Sequence, residues 1–323
     1  MINQSQEISV TVPVSQAYDR VKLMLFQPFD LGKWFIIGFC AWLAGLGESG
    51  GGSGFNGNYN FSNNHSSQNS QSFRDVVDKA GNFVMENLYW IIPVAVAVVL
   101  LLLVLGMVLL WLNSRGKFMF LHCVALNKAE VSEPWTKFER EANSLFWFRF
   151  VVGLIGMVLS LPLLVIIAVI IVRMIYRGEP ELGGIMLAVG LGLVFFAIAI
   201  FFALIRKFTV DFVVPIMFLR GAKCLAAWKE FFSLLTANAG DFALYILFQI
   251  VLAMAIGALV LIAIIVTCCI AGCLMALPYL GTVLLLPVLV FKRSYSTYFL
   301  AQFGPAYNVF PPAAPPIPGA LRS

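Results

Sequence analysis

Five stretches of this chain, 88–112, 146–172, 183–205, 242–266 and 274–291, run almost without charge, and a sixth, 31–47, comes close. Each meets or approaches the roughly 20 apolar residues that a helix needs to cross a bilayer. Composition agrees: 61% of the 323 residues are hydrophobic and 11% are charged, against about 25% charged in a soluble domain. A water-facing surface cannot be assembled from that inventory, and runs of this length point to spanning helices rather than one oversized core. Segment 31–47 is the weakest of the six. Its clean apolar core runs only from Trp34 to Gly47, with glycine and alanine near its end, so it is expected to tilt little, to thin the bilayer or to re-enter. The first 28 residues are polar and carry Pro13 and Pro28. They lack the basic start and apolar core of a secretory signal, so the first apolar segment is expected to be retained.

Loop charges orient the spans. If all six cross with the N-terminus inside, the cytoplasmic segments hold Arg20, Lys22, Lys33, Arg115, Lys117, Lys128, Lys137, Arg140, Arg206, Lys207, Arg220, Lys223, Lys229, Lys292, Arg293 and Arg322. The opposite side holds Arg74, Lys79, Arg173 and Arg177, and Arg149 lies inside a span. Retention of lysine and arginine on the cytoplasmic side therefore predicts both termini inside. The net charge of +5 is spread over these loops. No basic cluster is dense enough to argue for nucleic acid.

A short motif recurs upstream of the apolar pairs. V-S-Q-A-Y-D-R-V at 14–21 returns as V-S-E-P-W-T-K-F at 131–138 and C-L-A-A-W-K-E-F at 224–231. Tyr18, Trp135 and Trp228 are the aromatic anchors, with Val21, Phe138 and Phe231 three residues on. In the second copy Trp135, Phe138, Ala142 and Leu145 share one helical stripe, and Lys137, Glu139, Arg140 and Glu141 fill the other face. The third copy places Cys224, Trp228, Phe231 and Leu235 on one stripe. Such amphipathic segments are expected to lie in the headgroup region, aromatic side down.

The expected fold is thus an all-α membrane protein, a single domain over 1–323. It has six spanning helices in three repeats, each an interfacial helix followed by a helix pair. The repeats cover about 12–113, 129–206 and 222–292. A Gly/Asn/Ser-rich external loop at 47–72 interrupts the first and reads as a flexible spacer. A proline-rich tail at 304–323 reads as extended.

Chemical signals are sparse. Among six cysteines, the cluster Cys268, Cys269 and Cys273 has neither a second pair at zinc-site spacing nor a nearby histidine, so no metal and no cofactor are expected. His65 lies in the Gly/Asn loop, and His122 stands without a partner motif. No nucleophile elbow, zinc-protease motif or phosphate loop is present. No catalytic residue is assigned, and the chain is not expected to be an enzyme. Ionisable groups inside spans are the usual pointer to a transport path, because they are costly there. Asp211, in R-K-F-T-V-D-F-V-V-P at 206–215, is the main candidate, with a possible partner in Lys207 one turn away. Tyr245 and Gln249 are the other polar groups well inside a span. Pro278 and Pro287 are expected to kink the last span.

The motifs D-F-V-V-P-I-M at 211–217, A-W-K-E-F at 227–231, L-P-Y-L-G-T-V-L-L-L-P at 277–287 and F-L-A-Q-F-G-P-A-Y at 299–307 resemble a family of uncharacterised bacterial polytopic membrane proteins. More distantly, the unit of interfacial helix plus helix pair is similar to the membrane domain of some bacterial glycerophosphodiester phosphodiesterases. The first resemblance implies a six-helix protein of the bacterial inner membrane. The second transfers no reaction, because the soluble catalytic domain of those enzymes has no counterpart here. The leading functional expectation is a non-enzymatic membrane protein that organises partners or lipids at the cytoplasmic face. The alternative is a transporter or lipid-handling permease with a cavity between repeats, lined by Asp211, Tyr245 or Gln249. Membrane lipids are the expected partners, together with proteins whose identity the sequence leaves open.

Overall fold

The structure is a computed structural model that describes residues 8–46, 87–177, 182–267 and 277–310. The loop at 47–72, the cysteines at 268–273 and the tail beyond 310 lie outside the described residues. Among those residues every regular element is helical. Helix α1 (Val12–Val21) passes through a π-turn (Lys22–Phe26) towards α2 (Leu31–Gly45), whose N-terminus is capped by Asp30, its carboxylate accepting from the Gly32 N–H at 2.8 Å. Helix α3 (Leu88–Leu126) ends at Asn127, which takes a left-handed conformation with φ 56°. Then follow α4 (Ser132–Lys137), α5 (Glu139–Arg177) and α6 (Leu182–Phe208). A second π-turn (Thr209–Val213) leads into α7 (Val214–Arg220), which stops at Gly221 with φ 58°. Helices α8 (Cys224–Ala237), α9 (Ala239–Val266), α10 (Pro278–Leu284) and α11 (Leu286–Ala301) follow, and a 3-10 turn (Pro305–Tyr307) is the last of the described elements.

Among the described residues four helices are long and apolar enough to cross a membrane: Tyr89–Leu126, Glu139–Met174, Leu182–Arg220 and Ala239–Val266. Six were expected from the sequence, and the difference lies in the first and last segments. Helix α2 has 15 residues, about 22 Å at 1.5 Å per residue, short of a hydrocarbon core of about 30 Å. The last segment is two helices parted at Leu285, with 274–276 outside the described residues. Pro287 accounts for the break: it has no N–H for the carbonyl four residues earlier, and its ring crowds that turn.

Helix α2 does not run beside the apolar half of α3. It lies antiparallel along the half from Asn113 to Asn127: the Asn113 amide donates to Ala44 O at 2.7 Å and Leu46 O at 2.6 Å, and Lys33 Nζ donates to Asn127 Oδ1 at 2.8 Å. Gly116 makes this approach possible, since a Cβ there would stand 2.5 Å from the backbone of Leu43 and Ala44.

Burial divides the molecule into two zones. One is a packed head. Its larger core gathers Phe212, Phe231, Phe242, Tyr245, Tyr295 and Phe299, all 0–1% exposed. Phe212 stacks on Phe231 with centroids 5.3 Å apart, and Tyr245 meets Phe299 at 4.6 Å. Full burial of one such ring contributes about 1.5–3 kcal/mol. A second core joins Met24 and Leu25 to Ile37, Cys40, Met119, Cys123, Leu286 and Val290. Segments distant in sequence close the head. Gln302 exchanges two hydrogen bonds with the Ser9 backbone (2.8 and 2.9 Å), and the Tyr295 hydroxyl donates to Val10 O at 3.1 Å. Arg20 donates to Val124 O and Ala125 O at the C-terminal end of α3 while facing the Phe310 ring at 5.0 Å.

The other zone consists of apolar arms. Along Ile92–Val108 of α3, Val151–Val172 of α5, Ile185–Phe201 of α6 and Ile250–Val266 of α9, most large side chains are exposed. Helices α5 and α6 pack on each other along this zone, with Gly156 against the Phe202 ring. The other arms leave the head with little company.

Candidate functional site

Pro215 prepares the site. Having no N–H, it leaves carbonyls in the preceding turn without their helical donor, and the chain loosens there into the π-turn Thr209–Val213. Arg293, from α11, takes up the slack by donating Nη1 to Val210 O at 2.5 Å. The widened turn carries Asp211 into the head, where it is 8% exposed.

Three further side chains meet Asp211. Lys207, one turn earlier on the same helical rod, places Nζ 2.8 Å from Oδ2. The Tyr245 hydroxyl donates to Oδ2 at 2.9 Å, and Gln249 Nε2 donates to that hydroxyl at 2.9 Å. Lys207 Nζ also donates to Gln249 Oε1 at 3.2 Å, closing a ring of four residues. Tyr245 and Gln249 share one face of α9 because four residues make about one turn. Asp211, Tyr245 and Gln249, the polar candidates read from the sequence, therefore sit in one network, with Lys207 as its fourth member. Every charge in it is paired or hydrogen-bonded, as burial requires. The ion pair is half open to solvent on the lysine side, where the Lys207 side chain is 40% exposed, which limits its value.

Two cations next to this ring carry no signal in the sequence beyond their charge. Lys292 is exposed on α11, next in the chain to the Arg293 that reaches Val210 O, and partial desolvation together with the Lys207 ammonium holds it below the usual lysine range. Arg293 is buried beside it. Their proximity follows from packing α11 across α6 and α9, which no local pattern encodes.

A second polar group sits where α3 leaves its apolar run. The Arg115 guanidinium lies between the Trp111 and Trp135 rings, 4.6 and 4.8 Å from their centroids, and pairs with Glu139 at 2.9 Å. Arg149 Nη1 donates to Asn113 Oδ1 at 2.5 Å, so this arginine serves the end of α2 from inside the protein. The spacing W-x-x-x-R at 111–115 puts Trp111 and Arg115 on one face; the third member of the sandwich comes from another helix.

The motif aromatics occupy varied surroundings. Tyr18 is 63% exposed on α1. Trp135 packs over Arg115, and Phe138 is buried in a stack with Phe118 and Phe218, 5.8 and 4.8 Å away. Trp228 is half-buried against Phe148 and Phe231, and Phe231 is fully buried. The position three residues after each anchor, Val21, Phe138 or Phe231, belongs to the core in all three motifs.

His122 is fully buried beside the Phe138 and Phe218 rings, and neither ring nitrogen has a hydrogen-bond partner among the described residues. The Cys40 and Cys123 sulfurs stand 3.8 Å apart in the second core. Burial pushes the Cys224 thiol up to about 12, while its backbone N–H donates to Ser144 Oγ at 3.0 Å. No group of three or more His, Cys, Asp or Glu side chains able to hold a metal is found among the described residues.

Residues 9–286 match the Family of unknown function (DUF7544), and the chain belongs to that family. No curated protein and no solved structure matches the chain, so the more distant likeness to the membrane domain of glycerophosphodiester phosphodiesterases has no support there.

Proposed function

We propose that this protein is a non-enzymatic, multi-pass membrane protein that organises lipids or protein partners at the cytoplasmic face of a bacterial inner membrane. The observation that carries the reading is the division into a packed head, rich in aromatic and basic side chains, and apolar arms that leave it exposed on most sides. Such arms suit direct contact with lipid, and a rigid head at their foot suits an assembly surface. The finer topology belongs to the same proposal: six crossings in three repeats, with the bilayer thinned around the short α2 and the divided last segment, and both termini inside. The excess of lysine and arginine in the segments on one side supports it, as does the placement of α1, α4 and α8 ahead of the helix pairs.

The test is reconstitution into vesicles that contain fluorescent anionic lipid. An organiser raises energy transfer between labelled lipids as protein density rises. Unchanged transfer at every density would count against the reading.

A second reading, a lipid-handling permease or transporter, draws on the convergence of Asp211, Tyr245, Gln249 and Lys207 between α6 and α9. In the same vesicles a permease exposes inner-leaflet labelled lipid to an impermeant quencher. That outcome would replace the first reading with the second.

A further inference from the structure

The foot of α6 and α9 combines three features. The polar ring holds the two helices together there, through Lys207 and Gln249 at 3.2 Å and through Phe208 and Phe242 with centroids 6.4 Å apart. Away from the head the two arms make no extended contact. Helical spacing puts Ala203 and Ile200 on the same face as Lys207, and Ala253 and Gly257 on the same face as Gln249; all four are exposed. These side chains are small or apolar, and a Cβ at Gly257 would meet nothing within 4 Å. At its foot the charge is unbalanced: the single carboxylate, Asp211, is already engaged by Lys207, and α11 adds Lys292, exposed and next in the chain to the Arg293 that donates to Val210 O. A site with excess positive charge at the end of an apolar run, opening upward between two apolar helices, matches one ligand shape. That ligand has a negative head and hydrocarbon tails.

We propose that the junction of α6, α9 and α11 binds an anionic phospholipid, with its phosphate between the Lys207 and Lys292 ammonium groups and its acyl chains between α6 and α9. The site rests on the reading of the protein as a lipid organiser and names the lipid class. Asp211 and Gln249 hold Lys207 in place, so they position the site rather than contact the phosphate. Lys292 stands outside the ring and is free to close on the headgroup. A zwitterionic lipid brings its own cation to the two lysines and is the poorer match.

The test uses the full chain, purified in detergent, with lipid retention read by native mass spectrometry. The probes are phosphatidylglycerol, phosphatidylcholine of the same chain length, and sodium phosphate. The wild type is expected to retain phosphatidylglycerol in preference to phosphatidylcholine, and Lys292→Gln to lower that retention about fivefold, as removal of one lysine near an anionic headgroup predicts. Lys292 is exposed and outside the ring, so the variant should keep the wild-type unfolding temperature; Lys207→Gln is the second, riskier variant and should lower retention further. Equal retention of the two lipids, or unchanged retention in both variants, would overturn the site. Release of bound phosphatidylglycerol by millimolar sodium phosphate would assign the lysines to free phosphate and overturn the lipid assignment. Energy transfer between labelled lipids in vesicles reads the organising role separately: its absence with selective retention intact removes that role and leaves the site standing.

Discussion

The head and the arms are made from similar residues and obey different rules. Phe242 in the head touches Phe212, Phe231, Phe299 and Phe303, with centroids 5.1–5.9 Å away. Leu101 in the arm of α3 is 67% exposed. In the head, apolar surface is removed from other surroundings by protein, so shape matters at each position. In the arms, apolar surface stays open along helices long and apolar enough to cross a membrane, where hydrophobicity and length matter more than shape. The polar groups follow the same division: the Asp211 ring and the Arg115 sandwich are in the head or at its edge, where protein partners satisfy them.

The contrast yields measurements that break it if it is wrong, all read as unfolding of the purified protein in detergent. Phe242→Ala should cost the most, about 3–5 kcal/mol, because the surrounding rings cannot collapse into the space. Gly116→Ala should cost about 1–3 kcal/mol by pushing α2 away from α3, and a neutral result would mean that the close approach of these helices is not needed. Raising the pH should weaken the head through Cys224. Its thiol is harder to ionise in the folded protein, at about 12, than in the unfolded chain at about 8.5, so the unfolded state gains by losing the proton first. Stability present below about pH 8.5 should fall by roughly 1.4 kcal/mol per unit above it, and Cys224→Ser should flatten that slope. Tyr245→Phe should cost about 1 kcal/mol, since Asp211 and Gln249 each lose a hydrogen bond while the ring packing stays. Leu101→Ala should change stability by less than about 0.5 kcal/mol. A loss there comparable to that of Phe242→Ala would erase the distinction between head and arm.

Some of this was legible from residue order. Lys207 with Asp211, and Tyr245 with Gln249, are each one helical turn apart, so each pair shares a face in any structure that keeps the helices. That the two pairs face each other depends on how α6 and α9 pack, and no spacing within either helix contains that information. The same holds for Arg115, whose two tryptophans come from α3 and α4. Pro287 does more than kink the last apolar segment: it parts two helices, Pro278–Leu284 and Leu286–Ala301, at Leu285, which hydropathy alone does not register. The reading of 31–47 identified its weakness from the glycines and alanines near its end, while its partner, the polar half of α3, could be found only in three dimensions.

What the sequence by itself determined was the apolar arms, their lengths and the helical class, because hydrophobic runs and helical hydrogen bonds are local and add along the chain. The tertiary structure alone decided which polar groups meet, where α2 lies and which aromatics form the core. Those outcomes depend on close packing between segments far apart in sequence, where a single glycine or proline sets how near two helices come.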